Sequence, residues 1–155
     1  MLGTPDTYFE DIQPGFVFEG PTITVSEAHL VAYAGLLGDF YKVHMDAVAA
    51  SKSRFGERVA HGPFTFALTI GMLAQRIHHL NWQVEAIVGS TNLRFLAPVP
   101  IGATVTPRAE VANVRERATN GAITLVMRAI EANSDQDVFT GEFTLFVTKR
   151  SAAEG

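Results

Sequence analysis

The hydrophobic period of this chain changes once, near residue 83, and that change limits the folds open to it. Before it lies a stretch from Gly62-Pro63 to about Leu80 in which Phe64, Phe66, Leu68, Ile70, Met72, Leu73 and Ile77 leave a helix apolar almost all round. Proline suits the first helical position, where its missing N–H has no intrahelical acceptor to lose. Eighteen residues make a rod of about 27 Å, and a helix this apolar is normally wrapped by other structure. Arg76, His78 and His79 suit its C-terminal end, where the helix dipole favours positive charge. After Val84 the period is two, the signature of strands. The pattern predicts strands near 84–96, 102–115, 121–132 and 137–148, with Thr119-Asn120-Gly121 as a hairpin turn, since Asn-Gly tolerates positive φ. One long buried helix followed by an antiparallel meander predicts an α+β arrangement, a strongly curved sheet wrapped around the helix.

The first third of the chain is a collar to this unit. Phe16-Val17-Phe18 and Thr22-Ile23-Thr24-Val25 read as short extended segments separated by Gly20-Pro21. Ser26 is a suitable N-cap for a helix from Glu27 to about Leu37, with apolar Leu30, Val31, Ala34 and Leu37 on one face and Gly38 as its stop. Residues 39–45 are expected to be a loop, and Asp46 to cap a short helix from Ala47 to about Ser51. The last five or so residues read as a loose tail. The chain has 155 residues, and one domain with its core at about 8–148 is the natural expectation.

Composition removes several classes of function. A formal charge of −4 and a pI near 5.7, which no Lys/Arg cluster overrides, argue against a nucleic-acid binder, which needs a basic face. There is no cysteine, hence no disulfide, thiolate nucleophile or Cys-based zinc site. No basic and apolar leader opens the chain and no apolar run approaches membrane-spanning length, so a soluble cytoplasmic protein is expected, away from the membrane.

The candidate chemistry lies in Gly38-Asp39-Phe40-Tyr41-Lys42-Val43-His44, where an acid and an imidazole stand five residues apart just beyond a helix. Seventeen residues on come His61-Gly62-Pro63 and the start of the long helix. A carboxylate and a neutral imidazole can hold one water and take its proton. An N–H at a helix N-terminus can stabilise developing negative charge. Pro63 has no N–H, so Gly62 or a neighbouring amide must supply it. His61 could contact substrate or serve only the structure. Lys52, Arg54 and Arg58 follow the loop closely and read as a solvated basic face that could also meet phosphates.

Three segments taken together, Gly38–His44, Val59-Ala60-His61-Gly62 and Phe95-Leu96-Ala97-Pro98-Val99-Pro100-Ile101-Gly102, resemble in order and type the motifs of the MaoC-like hydratase/dehydratase family, especially its (R)-specific enoyl-CoA hydratases. That family carries G-D-x-N-P-x-H, then V-x-H-G, then F-x-x-P-V-x-x-G. The resemblance spans roughly 8–148. It implies a hot-dog fold and reversible syn hydration of a trans-2-enoyl thioester to a (R)-3-hydroxyacyl thioester, on CoA or acyl carrier protein, with no metal or organic cofactor. It implies that Asp39 and His44 are the catalytic pair, that Gly62 binds the thioester oxygen through its N–H, and that the protein is at least a homodimer with its site near a subunit boundary. The chain departs from the family at Tyr41 and Lys42, where Asn and Pro are usual, and at Ala67, where some (R)-hydratases have serine. Tyr41 and Lys42 are therefore expected to face the substrate and to select its acyl group. Two alternatives compete. A hot-dog thioesterase typically uses a carboxylate on the central helix, and residues 63–80 contain none. A non-catalytic acyl-thioester-binding protein would gain nothing from two titratable groups.

Overall fold

The computed structural model describes residues 5–153. Helix α1 (Glu27–Leu37), two short helices α2 (Lys42–Met45) and α3 (Ala47–Ser51) and the long α4 (Gly62–His79) precede the main strands, and a last turn α5 (Arg150–Ala153) follows them. Strands β1 (Val17–Glu19) and β2 (Ile23–Thr24) are short, whereas β3 (Val84–Phe95), β4 (Thr104–Glu116), β5 (Asn120–Glu131) and β6 (Gln136–Thr148) run twelve or thirteen residues each. All pairings among these strands are antiparallel, and the sheet order is β1-β4-β5-β6-β3 with β2 also on β4. The α+β arrangement and nearly every element boundary agree with the sequence reading.

The order of strands is not the simple meander expected. Strands β4, β5 and β6 do form consecutive hairpins, but β3 pairs with β6 at the far edge rather than with β4. The connector that carries the chain across holds Pro98, Pro100 and Gly102, the last at φ +92°. Two residues without an N–H cannot continue a strand ladder, so a hairpin between β3 and β4 is lost. Two local expectations also change. Residues 42–45, expected as loop, close one helical turn through Met45 N–H to Tyr41 carbonyl and Asp46 N–H to Lys42 carbonyl bonds. A single turn is too short to show a period in the sequence. Of the residues read as a loose tail, 151–153 continue the short helix α5, while 154–155 lie outside the described residues; Arg150, which opens α5, donates to both Asp11 carboxylate oxygens at 2.6 and 2.8 Å.

The inward residues of β4, β5 and β6, among them Val105, Val111, Ile123, Leu125, Met127, Phe139, Leu145 and Val147, are completely or almost completely buried. Against them lies one stripe of α4. Thr65, Thr69, Leu73 and Ile77 recur every four residues and are buried together with Phe64. The Thr69 hydroxyl satisfies itself by donating to the Thr65 carbonyl at 2.7 Å, which lets a polar side chain sit in the core. The helix is not wrapped all round, as its composition predicts. Ala67, Gly71 and Ala74 are exposed, and Phe66, Ile70 and Met72 are only half buried. Strand β3 is likewise open along most of its length, with Ile87, Val88 and Phe95 exposed. Its pairing with β6 slips register three times, and Asn92 has φ +54°. Among the described residues no helix is long and apolar enough to cross a membrane.

The Gly20-Pro21 turn passes directly over α4. A Cβ on Gly20 would lie 2.8 Å from the Met72 carbonyl oxygen, so only glycine lets the two backbones meet. Gly20→Ala is expected to lower unfolding free energy by about 1–3 kcal/mol in urea titrations. Gly35, on the exposed side of α1, has open space where a methyl group would stand, with nothing within 4 Å. Gly35→Ala should raise stability by about 0.5–1 kcal/mol through helix propensity alone.

Candidate active site

Helix α1 ends where Gly38 turns left-handed, at φ 77° and ψ 14°, its N–H bonded to the Ala34 carbonyl. That turn throws Asp39 and Phe40 to the surface. The Asp39 carboxylate accepts the Tyr41 N–H at 3.3 Å, a short side-chain turn that fixes its direction. Helix α2 then presents His44. Its Nδ1 donates to the Val59 carbonyl at 2.7 Å. A carbonyl can only accept, so the proton sits on Nδ1 and the Nε2 lone pair is left free to act as a base.

Val59 and Ala60 carry the chain into α4 as a two-residue extended bridge. The Val59–Pro100 pair is antiparallel, and the Ala60 N–H donates to the Val99 carbonyl at 2.7 Å. His61 is the N-cap residue of α4, yet its side chain makes no capping bond. It turns inward and is 0% exposed. Its Nε2 donates to the Asp39 backbone carbonyl at 3.0 Å, and its ring lies against that of His44 with centroids 3.9 Å apart and planes 30° apart. Tyr33 of α1 covers the ring from 5.0 Å. Burial, and after it the negative charge of Asp39, push the Tyr33 phenol above its ordinary range, so this neighbour stays neutral.

A cleft of about 360 Å³ opens at the amide end of α4, lined among others by Tyr41, His44, Arg54, Gly62, Thr65 and Phe95, a volume in the range of small-molecule sites. Of the residues singled out in the sequence, Tyr41, His44 and Gly62 share this cleft. Asp39 stands beside it rather than in its lining, with a carboxylate oxygen, a His44 nitrogen and a His61 nitrogen all within 4.8 Å of one another. His61, left open in the sequence as a substrate contact or a structural residue, is shut off behind His44 by its burial. Lys42 does not line the cleft, although Tyr41 beside it does, 69% exposed. Gly62 comes so close to the Phe95 ring that a Cβ there would lie 3.1 Å from it. The first N–H groups of any α-helix lack intrahelical acceptors, and Gly62, the first residue of α4, borders a cleft that a side chain there would narrow.

Asp39, His44 and His61 each bring one ligand-type atom within 4.8 Å of the others, and the two imidazole planes lie 30° apart. Two lining residues carry signals easy to pass over. Thr65 is three residues on from Gly62 and so lies on the same helix face, whereas Ala67 points to the exposed side. Of the basic residues after the loop, Arg58 is taken up by Glu27 at 2.8 Å and holds that carboxyl below its usual range. Arg54, stacked on Phe55 at 4.8 Å, is the one that reaches the cleft.

Comparison with known proteins places the chain in a family. Residues 11–133 match the model of the MaoC like domain. Protein MaoC of Klebsiella aerogenes is 43% identical over 65% of this chain, although the match spans only 29% of that longer protein. A 3-hydroxybutyryl-CoA dehydratase of Methylorubrum extorquens is 31% identical over 95% of this chain and 88% of its own length. A (R)-specific enoyl-CoA hydratase of Rhodospirillum rubrum is 34% identical over 64% of this chain and 65% of its own. Among solved structures, a monoamine oxidase regulatory protein from Archaeoglobus superposes with a TM-score of 0.89 at 30% identity, covering 96% of this chain and 99% of that one. A Mycobacterium tuberculosis protein described as a double hot-dog fold shares the architecture, with a TM-score of 0.80 at 23% identity over 93% of this chain and 44% of that one. With a family model matched over most of its length and the curved-sheet architecture in place, this chain belongs to the MaoC-like domain family and has its hot-dog fold.

Proposed function

We propose that this protein is a hydro-lyase that adds water reversibly across the double bond of a trans-2-enoyl thioester to give a (R)-3-hydroxyacyl thioester. The observation that carries the reading is the meeting of the Asp39 carboxylate and the His44 imidazole within 4.8 Å, at a cleft whose other wall is the amide end of α4. The dehydratase and hydratase named above support the reaction class.

The chemistry follows from the protons already assigned. Water bound between Asp39 and the free His44 Nε2 gives one proton to that site as its oxygen attacks the β-carbon. The π electrons of the double bond move through the α-carbon onto the thioester oxygen, where the Gly62 N–H and the helix dipole stabilise them. Collapse of this enolate takes the stored proton onto the α-carbon, on the face from which water came, so addition is syn. Dehydration is the same path reversed. The path draws on no metal or organic cofactor. Arg54 supplies a cation for the anionic parts of an acyl thioester, whether the carrier is CoA or acyl carrier protein, and Tyr41 borders the acyl group.

A homodimer or larger homo-oligomer fits the exposed surface. An edge strand with Ile87, Val88 and Phe95 in solvent, beside the open Ala67–Gly71–Ala74 side of α4, calls for cover. Phe95 and Leu96 at that edge also line the cleft, which favours a site near such a boundary.

With crotonyl-CoA, the enoyl absorbance should fall without release of free thiol; thiol release would instead mark a thioesterase, and no change would count against both. Asp39→Asn and His44→Ala should each lower turnover by roughly 10²-fold or more with circular dichroism unchanged, and a near-normal rate removes that residue from the mechanism. Tyr41→Asn should alter the ratio of kcat/KM between crotonyl-CoA and a carboxylated analogue, an unaltered ratio showing that Tyr41 does not select substrate. Light scattering is expected to give at least twice the 16.8 kDa chain mass; a stable monomer refutes the assembly.

A further inference from the structure

We infer that His61 is a positioning residue, an imidazole that never meets substrate but sets the placement of both proton-handling groups, a role that rests on the hydratase reading above. The starting point is an imbalance. His61 is wholly buried, and its Nδ1 has no hydrogen-bond partner. Its one hydrogen bond goes to the Asp39 backbone carbonyl, which fixes the proton on Nε2 and leaves Nδ1 as a bare lone pair in the interior. A buried polar atom without a partner costs free energy and calls for an explanation. Nor does the residue cap the helix it precedes, the usual reason for a polar side chain at that position. If the slot between Tyr33 and His44 needed only filling, a phenylalanine ring would fill it without burying two nitrogens.

What the imidazole does, and phenylalanine cannot, is join three parts. Its Nε2 holds the backbone of Asp39. Its face stacks on His44 and fixes that ring's plane, with Tyr33 behind it as a backstop. Its own backbone continues directly into Gly62. The carboxylate, the base and the anion-binding amide are therefore referenced to one rigid group. With its Nε2 turned to the Asp39 carbonyl, His61 offers His44 the face of its ring.

Two substitutions separate the ring from the donor. His61→Phe keeps the stacking and removes the N–H; His61→Gln keeps a donor and removes the ring. With crotonyl-CoA, His61→Phe is expected to keep or raise Tm while kcat falls at least tenfold and KM moves less than threefold. His61→Gln should lower Tm yet lose less kcat than His61→Phe. In ¹⁵N-detected imidazole spectra, wild-type His44 should be a single Nδ1–H tautomer and His61 a single Nε2–H tautomer, with His44 becoming a mixture in His61→Phe. A His61→Phe enzyme with kcat within twofold of wild type overturns the inference, as does a wild-type His61 protonated at Nδ1. Should neither variant fold, the wild-type spectrum decides alone. Should the wild type ignore every enoyl thioester, the hydratase reading fails, while the tautomers still test the tethering.

Discussion

One peptide unit, the amide that joins Val59 to Ala60, bears the geometry of the cleft. The Val59 carbonyl takes the proton side of His44, and the Ala60 N–H is fixed to Val99 of the connector that crosses the sheet. The first bond chooses which imidazole nitrogen is basic. The second anchors the same two residues to the rigid β framework. Immediately beyond them the chain enters α4 and offers its unpaired amides. A change at this bridge would reach the base, the helix end and the connector together, because all three are bonded to it or continuous with it.

The framework itself is ordinary. A four-residue repeat on α4, Thr65, Thr69, Leu73 and Ile77, meets the inward residues of three long hairpin strands. Polar side chains enter the resulting core, and Thr69 resolves its own demand by bonding back along the helix. His61 does not resolve its second nitrogen. Departures from local satisfaction of this kind are expected where geometry serves chemistry rather than stability.

Much of this was legible in the sequence because it depends on period and punctuation. Gly38 marks the end of α1, Asp46 caps α3 through the Val48 and Ala49 amides, and Gly62-Pro63 opens α4. The change from a helical to an alternating pattern separates helix from sheet near the right residue. Other features depend on distances in space and leave no periodic trace. Strand β3 alternates as a strand should, but nothing in its alternation says that it pairs with β6 across the sheet. The apolar ring of α4 suggests a wrapped helix, yet a sheet covers one side only, and composition cannot tell a core face from one left open. At the cleft, residue types pointed to Asp39, His44 and Gly62. The burial of His61, the capture of Arg58 by Glu27 and the reach of Arg54 into the cleft required coordinates, because each is decided by neighbours distant in the chain.

The Phe95 ring belongs to two places at once. It sits at the end of the open rim strand, and it also presses on the helix terminus at Gly62 so closely that a side chain there would crowd it. A displacement of the rim is thus delivered to the start of α4 through one stiff aromatic plate. Whatever settles on that rim gains leverage over the cleft without touching Asp39 or His44.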